Sequence, residues 1–431
     1  MRKTIGALAL LAGGFVLAGA DGAQAYSLKT LYSFCAQASC ADGKMARDGV
    51  MQSASGSLYG VTFNGGLAQN VGTVFALVPN AQKTKWTFKQ LYEFCTAFHC
   101  HDGQWPVGKL IEDSKGNLYG AASGGGSENS GGGTIYELSL KKKVWTFSVL
   151  YTFCPTGTCG DGMSPSAGLT YAGAASGLPY DGKSPLYGTT ASGGNNNSGV
   201  AFSLTPHKGT WAEKVLTTFD TQTHTPNGPL IADGSGNLFG TALAPLFTGG
   251  VVEISPKNAK GKKWKESALY DFSGGPDGSQ PRAELVMDGA GNLFGETAEG
   301  GSHSLGVVFK LTHSGGSWQE SVVHDLCELS DCTDGAAGWS GLTLDGSGHL
   351  LGATVNGGGH DGDASSVGGG TVFSLNGSTL TTLYAFCAQA NCADGEYPYG
   401  TPIVDGTGSI FGTTSDGGAH GMGGTVYELT P

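Results

Sequence analysis

No apolar run long enough to cross a bilayer follows the first 25 residues, which excludes a membrane-spanning helix from the rest of the chain. Charge is scarce, at 13% of 431 residues, and its balance is acidic, with a formal net charge of −12. An acidic surface of this kind argues against nucleic acid as a partner. Signatures of common enzymes are missing. There is no G-x-S-x-G elbow and no H-E-x-x-H. The glycine-rich runs lack the strand-to-helix setting of a phosphate loop. No stretch sustains a 3.6-residue apolar stripe beyond two turns, so the fold is not helical.

Residues 1–25 carry a charged start (Arg2, Lys3), an apolar stretch from Ile5 to Ala20 and a small-x-small site at Ala23-Gln24-Ala25. This is the pattern of a secretory signal peptide. Its removal leaves 21 basic and 34 acidic residues, a net charge of −13. A secreted or periplasmic monomer of residues 26–431 is expected.

What the chain has in abundance is repetition. The tripeptide L-[YFL]-G recurs at Leu58-Tyr59-Gly60, Leu118-Tyr119-Gly120, Leu186-Tyr187-Gly188, Leu238-Phe239-Gly240, Leu293-Phe294-Gly295 and Leu350-Leu351-Gly352, then as Ile410-Phe411-Gly412. The glycines are 52 to 68 residues apart, a spacing that marks solenoids, propellers or arrays. Each repeat contains four short apolar runs bounded by turn residues, which read as strands. In the second copy they are 108–112, 118–122, 134–138 and 145–153.

Seven repeats of four antiparallel strands predict a seven-bladed β-propeller. The phase of the repeats separates this from a β-solenoid. The chain after residue 25 opens on a fourth-strand sequence, Leu28 to Phe34, and ends on a third-strand sequence, Gly424 to Thr430. Pairing 28–34 with 424–430 completes the last blade, closes the ring and removes the open edges a solenoid must cap. Five tryptophans, Trp86, Trp145, Trp211, Trp264 and Trp318, recur on the fourth strand and are expected to pack between blades.

All ten cysteines form C-x4-C pairs: Cys35 and Cys40, Cys95 and Cys100, Cys154 and Cys159, Cys327 and Cys332, Cys387 and Cys392. Each pair follows a fourth strand, and two repeats lack both members. With a signal peptide, disulfides within each loop are the simplest reading, each stabilising by about 2 kcal/mol.

Up-and-down strands put the cysteine loops and the glycine-rich loops on one face, here the top. The top also carries D-G turns at Asp42, Asp102, Asp161, Asp277, Asp334 and Asp394. Six carboxylates at one channel mouth could hold a hard divalent cation such as calcium; the alternative is plain turn chemistry. No other cofactor is expected. On the bottom face a D-x-x-G series (Asp113, Asp181, Asp233, Asp288, Asp345 and Asp405) reads as hairpin turns. Residues that break the repeat are better ligand candidates. Trp105 and Tyr397 share one slot, Trp339 lies a blade from Tyr397, and Phe98, His99 and His101 decorate the second cysteine loop. Aromatic rings beside polar loops could stack on sugars or apolar ligands. His224 and the His360-Asp361-Gly362-Asp363 run are further departures.

The unit G-N-L-Y-G-x4-G-G followed by G-T-V-F/Y-x-L-T-P, clearest at 116–126 with 133–139 and at 408–418 with 424–431, resembles the Gloeo/Verruco (GloVer) tandem repeat of secreted bacterial proteins. The resemblance implies a secreted repeat protein and supplies no catalytic residues. Family members often carry a C-terminal surface anchor; none follows Pro431, which favours release or periplasmic residence. The expected function is a binding or scaffold module for an extracellular ligand, with a glycan first. The alternative is a hydrolase or lyase acting on a polysaccharide or small ester, with or without a metal.

Overall fold

The computed structural model describes residues 26–127, 131–174, 177–220, 225–243, 248–257, 263–359 and 368–431. His224 and 360–363 lie outside the described residues. Seven antiparallel sheets form a closed ring, the predicted seven-bladed propeller. Blade I is Val50–Gln52, Leu58–Thr62, Thr73–Pro79 and Trp86–Glu93. Blade II is Gln104–Glu112, Leu118–Gly124, Thr134–Lys141 and Val144–Thr152. Blades III and IV begin at Met163 and Thr225, and their innermost strands are each broken into two short segments. Blades V and VI begin at Val286 and Thr343. Blade VII is Ile403–Val404, Ile410–Thr414 and Thr425–Thr430, completed by Ser27–Ser33.

The closure falls where the repeat phase puts it. Ser27 pairs with Thr430, Leu28 with Leu429 and Ser33 with Thr425, with a bulge between Thr30 and Tyr32. The Phe34 N–H then donates to the Gly424 carbonyl at 3.0 Å.

Burial explains the strand sequences. The first five residues of Thr73–Pro79 are all buried, because the third strand is covered by a blade on each side. The outer Val144–Thr152 alternates, since one of its faces meets solvent. The motif glycine has a steric cause. A Cβ on Gly60 would lie 2.6 Å from Cζ of Phe75, its partner on the third strand, and Gly295 meets Phe309 in the same way. The glycine thus leaves room for the cross-strand ring that fills the blade core.

The repeated tryptophans join neighbouring blades. Each meets the aromatic residue of the L-[YF]-G motif one blade earlier: Trp145 with Tyr59 at 6.1 Å, Trp211 with Tyr119 at 6.0 Å, Trp86 with Phe411 at 5.9 Å. The last contact crosses the closure. Among the described residues no helix is long and apolar enough to span a membrane.

Five disulfides close the loops that follow the outer strands: Cys35 with Cys40, Cys95 with Cys100, Cys154 with Cys159, Cys327 with Cys332, and Cys387 with Cys392. Among the described residues no cysteine is free. The second cysteine of a pair also has a backbone task. The Cys40 carbonyl accepts from the N–H groups of Gly43 and Gly66, Cys159 from Gly162 and Gly194, and Cys332 from Gly335 and Gly358. The first glycine of each set belongs to the D-G turn and the second to the glycine-rich loop. One carbonyl therefore ties three loop features of the top face together, which is why the cysteine, D-G and Gly-Gly signals recur side by side in the sequence.

Candidate functional site

A cavity lined from all seven blades can lie only on the ring axis. One such cavity, of about 150 Å³, is bordered by Arg47 and Asp48 (the loop into blade I), Lys109, Ser166, Asn227, Arg282 and Glu284, Trp339, and Tyr399. Above it a vestibule of about 370 Å³ opens between Met45, Arg47, Arg282, Trp339, Tyr399 and Asp416. Below it a larger space of about 630 Å³ is walled by the inner strands and by Ala174, Leu178 and Pro179 of blade III. At the waist the Lys109 ammonium meets the Glu284 carboxylate at 2.5 Å. These residues come from blades II and V, nearly opposite each other, so the ion pair bridges the bore.

How these side chains reach the axis follows from the repeat. The loop from an outer strand to the next inner strand starts at the rim and must cross the blade. In five of the loops the fifth residue after the D-G aspartate arrives at the bore: Arg47, Ser166, Arg282, Trp339 and Tyr399. The slot holds a different residue nearly every time, so it carries no structural duty common to the blades.

Two guanidinium groups and two aromatic rings dominate the vestibule. Arg282 stacks over the Trp339 ring at 4.7 Å, and Arg47 over Phe63 at 3.7 Å. Trp339 and Tyr399 meet edge to face with centroids 5.7 Å apart. Arg282 donates from Nη2 to the Gln280 side-chain oxygen at 2.6 Å, while its buried Nε–H has no partner. Asp48 is held above the usual carboxylate range by burial, against the pull of Arg47 and a hydrogen bond from the Gly108 backbone. Its Oδ2 accepts no hydrogen bond.

Behind Trp339 lies a buried acid. Glu296 is fully enclosed and accepts from the Gly341 N–H at 3.0 Å and from the Ser340 hydroxyl at 3.4 Å. Burial, only partly offset by these donors, raises its pKa to about 8. The equivalent position in blade VII is Thr413, which accepts from the Gly49 N–H at 3.1 Å. In both cases the residue after the motif glycine holds the axial loop of the next blade.

The expected aromatic rim is divided. Trp339 and Tyr397 share one pocket of about 480 Å³ with Tyr399. Trp105 sits elsewhere, 38% exposed and stacked near Phe63 at 6.5 Å. Phe98 and His99 stack at 3.8 Å in the cysteine loop, with the His101 ring 6.4 Å from His99, away from the axial cavities. The slot that Trp105 and Tyr397 share has a backbone role. Its residue adopts positive φ, 54° and 56° in these two, and its N–H bonds a carbonyl of the preceding blade, Val71 and Gly369 respectively.

The D-G aspartates do not converge on the channel mouth. Each caps its own top loop near the rim, a cysteine loop in every case but that of Asp277. Asp42 accepts from the Tyr32 hydroxyl at 2.8 Å and from the N–H groups of Ala36 and Gln37, and Asp394 repeats this with Tyr384, Ala388 and Gln389. Asp102 likewise binds Tyr92, Asp161 Tyr151 and Asp277 Tyr270, while Asp334 accepts from Glu328 and Leu329 N–H groups. Among the described residues no three of these carboxylates approach within ligand distance of one another. The physical reason is the loop path: D-G lies at its outer end, and the axis is reached only five residues later. Cys387, Cys392 and Glu396 do cluster, but both sulfurs are spent in a disulfide and offer no thiolate to a metal. None of the disulfides, from Cys40 through Cys159 to Cys332 and Cys392, borders an axial cavity. On the bottom face the second aspartate series makes the expected turns, as where Asp113 accepts from the Lys115 and Asn117 N–H groups.

Fold and site together define a seven-bladed propeller with a polar, aromatic-lined axial cavity open to the top face. The sequence profile of the Gloeobacter/Verrucomicrobia repeat matches residues 19–184 and 175–386, and the chain belongs to that family. No curated protein sequence matches it. Solved structures resemble it in fold. The periplasmic gluconolactonase PpgL of Pseudomonas aeruginosa is 14% identical, with a TM-score of 0.50 over 94% of this chain and 96% of that one. PorZ, a surface component of the type-IX secretion system of Porphyromonas gingivalis, is 13% identical, with a TM-score of 0.50 over 88% of this chain and 46% of that one. At such identities the likeness concerns the fold alone.

Proposed function

We propose that this protein is a secreted or periplasmic propeller that binds a glycan at the top mouth of its channel. The observation that carries this reading is the Trp339–Tyr399 pair beside Arg47 and Arg282, in a slot of the repeat that reaches the axis and changes from blade to blade. Rings at an angle beside hydrogen-bonding groups suit a sugar, whose faces are apolar and whose edges are polar. Five loop disulfides and the N-terminal signal pattern fit an oxidising compartment outside the cytoplasm.

An enzymatic reading, a hydrolase or lyase at the same mouth, is favoured by one feature. Asp48 is a partly buried axial carboxyl with raised pKa and an unsatisfied oxygen, the state of a general acid. A thermal-shift screen of the disulfide-intact mature protein against oligosaccharides and divalent metals, followed by product analysis of every hit, separates the two. A saccharide shift lost in Trp339→Ala/Tyr399→Ala but kept in Trp105→Ala, without turnover, supports the binding module. Turnover abolished in Asp48→Asn replaces it with the enzyme. A shift lost only in Trp105→Ala would move the site to the rim and refute the axial reading.

A further inference from the structure

The vestibule is lined by two arginines, Arg47 and Arg282, together with Asp48 and Asp416. In a chain of net charge −12, two arginines face one cavity. Two of the neighbouring acids, Glu284 and Asp416, are engaged. Glu284 is paired with Lys109 and also accepts from the Thr401 hydroxyl at 3.3 Å. Asp416 accepts from the Ser415 hydroxyl at 2.7 Å. Asp48 comes no nearer than 4.0 Å to the Arg47 Nε. Among the described residues Arg282 has no carboxylate partner: its side chain donates to the neutral Gln280, and its Nε–H is buried without an acceptor. Stacking on Trp339 orients the Arg282 guanidinium at the vestibule wall, and the Nη end of such a planar fork is the geometry that receives a carboxylate with two parallel hydrogen bonds.

We infer that the ligand of this site is an acidic saccharide, whose ring packs on Trp339 and Tyr399 and whose carboxylate is bound by Arg282 with Arg47 beside it. The inference rests on the glycan reading above and narrows it to uronate-containing chains. The Arg282 guanidinium gains a charged acceptor, and the carboxylate enters a bore where Lys109 is already occupied by Glu284. Selectivity over neutral sugars follows, because a hydroxyl cannot accept two parallel bonds from one guanidinium edge.

The test is calorimetric titration of the full mature protein with oligomers of galacturonate, glucuronate, mannuronate and guluronate, each paired with its neutral sugar counterpart, and with poly-aspartate. The expected result is binding of at least one uronate series, about tenfold or more tighter than its neutral counterpart. That preference should be lost in Arg282→Gln and only partly restored in Arg282→Lys, which keeps the charge but not the planar fork. Melting curves of each variant exclude unfolding as the cause, and Arg47→Gln provides a second, independent arm. Equal binding of acidic and neutral sugars, unchanged in Arg282→Gln, overturns the carboxylate inference and leaves the glycan reading standing. Poly-aspartate binding that needs Arg282, with no saccharide bound, keeps the anion site and refutes the sugar. No binding to any saccharide or to poly-aspartate removes both readings.

Discussion

Replacing Glu296 by glutamine should stabilise the protein, and only above acidic pH. In the fold this carboxyl is fully buried and its pKa is raised to about 8, so it holds a proton across a range where the unfolded chain has released it. A group whose folded pKa is raised stabilises the native state less as pH climbs, beginning near the unfolded value of about 4.5 and levelling off near the folded value of about 8. Each pH unit in that window costs about 1.4 kcal/mol. At pH 7 the penalty is therefore on the order of 3 kcal/mol. The substituted amide retains an oxygen for the Gly341 N–H and the Ser340 hydroxyl and carries no charge to desolvate. With an unfolding entropy near 2.1 cal/mol/K per residue, about 3 kcal/mol moves the midpoint of a chain this long by roughly 3–4 °C. Differential scanning calorimetry of wild type and Glu296→Gln at pH 5, 6, 7 and 8 reads the effect. The midpoints should nearly coincide at pH 5 and separate progressively to pH 8, with the variant higher. A gap that is constant with pH refutes the assignment of a protonated Glu296, whereas a fixed offset added to a widening gap would report only the amide NH2 placed where Oε1 has no partner.

Other perturbations test the framework. Trp145→Ala removes a half-buried ring from the junction with Tyr59 and should cost about 2–4 kcal/mol, read as a lower urea midpoint. Asp102→Ala strips the acceptor from the Tyr92 hydroxyl and from two loop N–H groups, and should cost about 2–3 kcal/mol and speed reduction of the neighbouring Cys95–Cys100 bond by dithiothreitol. Deleting residues 26–34 exposes the edge of Thr425–Thr430 and should give a chain that associates on size-exclusion chromatography. Lys109→Met should destabilise the protein by about 1–2 kcal/mol, since it leaves the partly buried Glu284 without its cation in the bore; an unchanged melting midpoint would show that the bridging ion pair contributes little.

Features that depend on period and local chemistry are legible along the chain. The motif glycines, the fourth-strand tryptophans, the paired cysteines and the closing strand each repeat at fixed offsets because every blade solves the same packing problem. Gly60 makes room for Phe75, Trp145 reaches Tyr59, and Leu28 finds Leu429 because one strand is missing from the last repeat. Which residues share the axis is a different matter, set by closure of the ring. Arg47, Arg282, Trp339 and Tyr399 are spread from position 47 to position 399 and meet because the ring folds each fifth residue after D-G into one bore. The six D-G aspartates carried the more visible pattern, yet repetition was the mark of their structural use, as each binds its own rim loop. Glu296 gave a faint signal, an acid in a slot that holds Val61, Ala121, Thr189, Thr241, Ala353 or Thr413 elsewhere. Its burial, and hence its proton, depends on the loop of the neighbouring blade lying over it. A periodic sequence records the forces that are the same in every blade, whereas a site on the axis is made of the differences, which acquire meaning only when closure brings them face to face.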